Sequence, residues 1–172
     1  LGPVFTFLLR FRLPSRMARG KARVNILVTN VLIAAIIFTA SLLMGFGTYL
    51  GIQLPVIWIA GALGIWLFYV QHQFKGVYWA RGAEWSPLRA AMEGSSFYKL
   101  PGPLRWFSAN IGYHHVHHLS PRIPNYLLKQ CYDSIPALSD KYPLTLSESL
   151  SCMRLKLWDE KRKEMVGFPK LP

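Results

Sequence analysis

Val24–Phe74, VNILVTNVLIAAIIFTASLLMGFGTYLGIQLPVIWIAGALGIWLFYVQHQF, contains no Asp, Glu, Lys or Arg. One bilayer-spanning helix takes about 20 apolar residues. These 51 residues therefore amount to two spans and a turn. The turn is read in Gly45-Phe46-Gly47-Thr48-Tyr49-Leu50-Gly51, and the spans near 25–44 and 55–71. Pro55 suits the first turn of a helix, where its missing N–H goes unused. Tyr49 and Trp58 fall where an aromatic belt would meet the uncharged end. Two core helices of a soluble protein are the competing reading, but such helices are rarely so long and so free of charge.

The charge on either side of this run gives it an orientation. Residues 1–23 hold six cations and no anion, and residues 75–172 hold fourteen cations and eight anions. Both open ends of the hairpin are thus basic, which places them in the cytoplasm and the turn on the far side. This accounts for the net charge of +12 without a nucleic-acid partner. The segment 1–24, with Phe5, Phe7, Leu8, Leu9, Phe11 and Leu13 among its arginines, reads as a basic strip lying in the membrane interface. It is not a secretory leader, because the apolar run behind it is too long and lacks a small-residue cleavage site. A hydrophobic fraction of 52% excludes a disordered chain. Two cysteines, Cys131 and Cys152, do not make a disulfide scaffold and are expected reduced. The expected organisation is an all-α membrane protein: segment 1–24, a two-helix hairpin in 25–73, and a helical cytoplasmic cap in 74–172.

Within the cap, Ser86-Pro87 reads as an N-cap followed by the first helical residue, and Gly94 as a stop. Pro103 is expected to open a helix that runs through to Leu119, with Pro121 ending it. Another helix is read from Pro124 to about Asp133. Thr145-Leu-Ser-Glu148 has the form of a capping box. It predicts a helix with Leu146, Leu150, Met153 and Leu157 on one face, closed by Gly167 and Pro169. No period-two alternation marks a strand.

The chain has five histidines, and none is isolated from this architecture. His114, His115, His117 and His118 occupy five positions, and His72 stands at the end of the second span. Positions i, i+3 and i+4 share a helix face, so His114, His117 and His118 project together. His115 lies about 100° away round the helix. Imidazole is the commonest metal ligand and suits iron, zinc, copper or nickel. Neither Cys nor a carboxylate lies within the cluster, which argues against a structural zinc site. Flanking Trp106, Phe107, Ile111, Tyr113, Val116 and Leu119 distinguish it from a solvated histidine tract. For His72 alone, a metal ligand and an interfacial polar residue beside Gln71 and Gln73 weigh about equally.

The run Asn110-Ile-Gly-Tyr-His-His-Val-His-His-Leu-Ser-Pro121 resembles the third histidine box, HxxHH, of integral-membrane fatty acid desaturases. Phe68-Tyr-Val-Gln-His-Gln-Phe74, Glu84-Trp85 and Gly94-Ser-Ser-Phe-Tyr98 are similar to the stretch before that box in the Δ12/ω6 acyl-lipid branch. The resemblance covers most of residues 1–135. It implies a four-span protein whose cap holds two irons on histidines from three boxes and a span end. His114, His117 and His118 match the third box, and His72 the extra ligand. His115 takes a variable position and is expected just outside the ligands, with Asn110 a weak candidate for holding a water near them. Trp79, Trp106 and Phe107 are weak candidates for lining an acyl tunnel.

The first two boxes and the first two spans of the family pattern are absent from these 172 residues. The expectation is therefore the C-terminal part of such an enzyme, with about half the ligands and no activity by itself. The resemblance further implies an acyl-lipid or acyl-CoA substrate, O₂, and two electrons from a ferredoxin or cytochrome b5 type donor steered by the basic cap. The same boxes serve hydroxylases, conjugases and carotenoid ketolases. A membrane hairpin that only binds metal is the non-enzymatic alternative.

Overall fold

The computed structural model describes residues 6, 9–14 and 19–169. Much of the interfacial strip expected in 1–24, Phe5, Phe7, Leu8 and Arg16 included, lies outside the described residues. Two compact units divide the chain, Leu1–Trp66 and Leu67–Pro172.

In the first unit, helix α1 spans Lys21–Met44 and is followed after a single residue by α2, Phe46–His72, whose last six residues belong to the second unit. Both are long and apolar enough to cross a membrane, and none of their most apolar stretch is buried within the chain. A soluble core helix would be covered by its own protein; these present Leu32, Phe38, Leu43, Ile52, Trp58 and Leu63 outward. The chain is thus a mostly helical protein with two membrane-length apolar helices. The turn is shorter than the glycines suggest. Only Gly45 leaves the helical conformation, at φ 84°, a value that suits a residue without Cβ. Gly47 and Gly51 continue as helix, and Pro55 lies well inside α2 rather than at its start. In a hydrophobic setting the backbone hydrogen bonds of a continuous helix outweigh the weak helix propensity of glycine.

The second unit is built from short elements. Helix α3, Pro87–Met92, starts where the sequence indicated, and the Ser86 hydroxyl accepts from Arg89 N at 3.4 Å. It is followed by strand β1, Phe97–Tyr98, and helix α4, Gly102–Phe107. Helix α5 holds the histidines, His114–Leu119; α6 is Leu128–Ser134 and α7 Pro136–Ser139. Strand β2, Pro143–Leu144, pairs in parallel with β1, and α8 covers Leu146–Cys152. Strands β3, Leu157–Asp159, and β4, Glu164–Val166, form an antiparallel hairpin. Tyr113, Val116, Leu128 and Leu138 make the core, with Met92, Phe97, Ile123, Cys131 and Tyr132 packed round them. Cys131 and Cys152 are free thiols.

Two local expectations are corrected. The single helix read from Pro103 to Leu119 is split: Ala109 and Asn110 both adopt left-handed φ values, 52° and 57°. The break lets Gly112 O accept from Tyr98 N at 2.8 Å and sets Tyr113 against Phe97. Pairing with β1 and burial of Tyr113 override the local helical pattern. The helix read from Thr145 towards Gly167 stops at Cys152. Its capping box is formed in full, but Asp159 Oδ1 accepts from Lys161 N and Arg162 N and turns the chain into the β3–β4 hairpin. Trp158 then packs against Trp79, ring centres 5.6 Å apart, which a helix over these residues would not allow.

Candidate metal centre

The end of α2 is stitched into the cap by its polar residues. Gln71, almost fully buried, donates from Nε2 to Ile111 O at 2.8 Å, and its carbonyl accepts from Ser96 N at 3.0 Å. Tyr69 donates to Leu155 O at 2.6 Å. These bonds bring the last turn of α2 to the segment 94–96 and to the approach of α5. The two glutamines flanking His72 in sequence thus differ: Gln71 is a structural tie, not an interfacial bystander.

His72 Nε2 lies 3.0 Å from His114 Nε2, and His118 Nε2 lies 3.1 Å from the same atom. One ring nitrogen from each of the three falls within 4.8 Å of the other two. Two imidazoles on one metal at about 2.1 Å each bring their nitrogens to roughly 3–4 Å. The His72 Nδ1 faces the Gly94 carbonyl at 3.3 Å. A carbonyl only accepts, so Nδ1 carries the proton and Nε2 presents its lone pair to the other rings.

The three nitrogens cannot satisfy one another. His114 Nε2 has one hydrogen at most, so with His72 Nε2 presenting a lone pair it cannot bond well to both His72 and His118, whichever tautomer His118 takes. His114 Nδ1 is buried with no partner among the described residues. Such an arrangement is costly for hydrogen bonding alone, and it is what a cation at the meeting point of three lone pairs would resolve. Burial first, and the neighbouring rings of His118, His72, His117 and His115 after it, hold His114 down at about 3. The same causes, burial then His72 and His117, lower His118. Both rings are therefore neutral near pH 7, the form in which imidazole binds a metal. The donor set fits a metal of the imidazole-preferring class, iron included.

His117 is not drawn into the trio. Its ring centre stands 5.8 Å from that of His114 and 6.0 Å from that of His118, beyond the 4.5 to 5.0 Å spacings within the trio. His115 points elsewhere. It is completely buried, donates from Nε2 to Leu138 O at 3.2 Å, and meets Phe97 and Tyr132 edge-on. It packs in the core that carries α5, one residue from His114 but with its ring turned away from the three converging nitrogens. Its pKa is lowered to about 4, by burial first and by the Lys141 charge second. Asn110 is likewise committed, its Nδ2 donating to Asn125 O at 3.0 Å from the left-handed turn.

Of the aromatic candidates, Trp106 and Phe107 meet edge-to-face on the outside of α4, 76% and 78% exposed. Nothing among the described residues of this unit covers them. Trp79 borders a cavity of about 520 Å³ shared with Tyr78, Trp158, Arg89, Glu93 and Lys163, a mixed lining and not an apolar one.

The fatty acid desaturase family model matches residues 1–149. The chain belongs to the fatty acid desaturase family. It is 45% identical over 168 residues to a fatty acid desaturase of Bacillus subtilis, an alignment covering 98% of this chain and 48% of that protein. The chain spans about half the length of this relative. Over 52 residues it is 38% identical to a Mus musculus sphingolipid delta(4)-desaturase/C4-monooxygenase, covering 30% of this chain and 16% of that one. No solved structure matches. Family membership and the two membrane-length helices make this a membrane protein, and the histidine trio lies inside the matched region.

Proposed function

We propose that this desaturase-family chain forms part of the di-iron cap of an O₂-dependent acyl desaturase. The observation that carries the reading is the convergence of three imidazole nitrogens, one from the end of a membrane-length helix and two from α5. His72, His114 and His118 would hold one iron, with His117 beside them as a further ligand. Bound iron supplies the activation of O₂ needed to take hydrogen from an unactivated C–H bond.

The protein's part is to hold and to orient. Neutral imidazoles bind without adding negative charge to the site. Gln71 and the Gly94 carbonyl fix the position and tautomer of His72. The His115–Leu138 bond and the Tyr113–Val116 core fix α5. The basic blocks on either side of the spans favour both ends in the cytoplasm, where a ferredoxin or cytochrome b5 type donor would meet a positively charged cap. The substrate would be an acyl-lipid or acyl-CoA held at the membrane face.

A chimera tests this directly. The aligned segment of the Bacillus subtilis relative is replaced by this chain, and the fatty acids of a desaturase-free host are measured by gas chromatography–mass spectrometry. New double bonds that vanish with His72→Gln, His114→Gln or His118→Gln are expected. Chimeras that bind iron and leave the acyl chains unchanged would overturn the desaturase reading. The printed name of the mouse relative includes a monooxygenase activity, and hydroxylated instead of unsaturated acyl chains would select that outcome.

A further inference from the structure

Lys141 is unusual among the cap's cations. It is half-buried, and burial lowers its pKa to about 8. No carboxylate forms an ion pair with it among the described residues; its ammonium donates instead to two backbone carbonyls, Met92 O and Ser95 O. Withdrawing an ammonium from water is costly unless it is hydrogen-bonded, and here the two main-chain carbonyls supply those bonds.

The two carbonyls bracket Gly94. This is the residue whose own carbonyl faces His72 Nδ1 at 3.3 Å. The peptide is pinned from the other side as well. Gly94 N donates to Arg89 O at 3.2 Å, and Ser96 N donates to Gln71 O at 3.0 Å, one residue before His72. A Cβ on residue 94 would lie 2.5 Å from Ala90 O and 3.2 Å from Tyr78 O, so only glycine fits here without a backbone shift. A metal-bound histidine needs its remote ring N–H held by an acceptor, and losing that acceptor weakens metal binding about 10–100-fold.

We propose that Lys141 and Gly94 are positioning residues for His72: the Lys141 ammonium, clamped on Met92 O and Ser95 O, fixes the Gly94 carbonyl that keeps His72 in its Nδ1–H form with Nε2 aimed at His114 and His118. Neither residue touches the three converging nitrogens; Gly94 meets His72 at the far ring nitrogen, and Lys141 acts through the Gly94 peptide. The role rests on the metal reading above, but the tautomer it requires is a property of the metal-free chain.

The test is magic-angle-spinning NMR of the full chain, with ring-¹⁵N histidine, in lipid bilayers without metal. The pH is set well above the ordinary histidine pKa of about 6.5. His72 signals are assigned by their loss in His72→Gln. The wild type is expected to show a protonated Nδ1 and a bare Nε2 at His72. Lys141→Met, which keeps the stem and removes the charge, and Gly94→Ala, which displaces the carbonyl, should each give a mixture of tautomers with the far-UV circular dichroism retained. Lys141→Arg should restore the single form. In Co(II) titrations Lys141→Met should bind about 10–100-fold more weakly than wild type.

A wild-type His72 protonated on Nε2 overturns the inference whatever the variants do. So does a folded Lys141→Met with the wild-type tautomer and Co(II) affinity. Failure of the metal reading shows separately, as a wild-type chain with His72 in the Nδ1–H form that takes up no Co(II), and it removes this role with it.

Discussion

His72 and His114 are 42 residues apart in sequence and place their Nε2 atoms 3.0 Å from each other. One ends a membrane-length helix and the other begins a six-residue helix in the cap. Their contact joins the apolar and the polar part of the second unit's chemistry. It also sets the ranking of histidine variants. His72→Gln, His114→Gln and His118→Gln should each weaken Co(II) or Fe(II) binding by more than the ~10–100-fold that outer partners are worth. His117→Gln, at the edge of the group, should cost less in the same titration. Equal affinities for all four variants would show that the trio is not the binding unit.

His115 predicts an acid-labile fold. Its pKa is lowered to about 4 in the folded chain against about 6.5 unfolded. Between these values the unfolded ring is protonated and the folded ring is not. Stability is therefore full above about pH 6.5 and falls as the pH drops through the window, by about 3 kcal/mol in total for this one group. Thermal unfolding of the metal-free chain in detergent, followed across that range, should show the slope. His115→Phe should reduce the slope, leaving the part that His114 contributes.

The capping box of α8 is a stability element far from the histidines. Thr145 Oγ1 accepts from Glu148 N at 3.3 Å while Glu148 Oε2 accepts from Thr145 N at 2.9 Å. Thr145→Ala should destabilise the cap by about 1 kcal/mol, and Co(II) affinity measured on the folded variant should stay at the wild-type value.

Topology can be read with single cysteines in a background without Cys131 and Cys152. Thr48→Cys should react with an impermeant maleimide from outside. Lys21→Cys and Arg81→Cys should react only after the membrane is opened. Labelling of either from outside contradicts the basic-flank argument.

What the sequence determined by itself is what depends on composition and short-range spacing. A charge-free run of 51 residues announces two apolar helices, because a bilayer tolerates few unpaired charges and a helix satisfies its own backbone. Ser86-Pro87 and Thr145–Glu148 announce helix starts, because caps bond within three residues. The i, i+4 spacing of His114 and His118 puts their rings together on any helix. Tertiary structure alone decided the rest. The meeting of His72 with α5 depends on Gln71, Ser96 and Ile111, which bond across 25 to 40 residues. The burial of His115 depends on where Leu138 and Tyr132 pack. The break at Ala109-Asn110 and the β3–β4 hairpin replaced locally plausible helices, because strand pairing and the Trp79–Trp158 contact were worth more than continued helical turns. Lys141 gave no signal at all in the sequence. A lysine in a polar stretch reads as solvated, and only the fold of 92–95 around its ammonium shows that it is not.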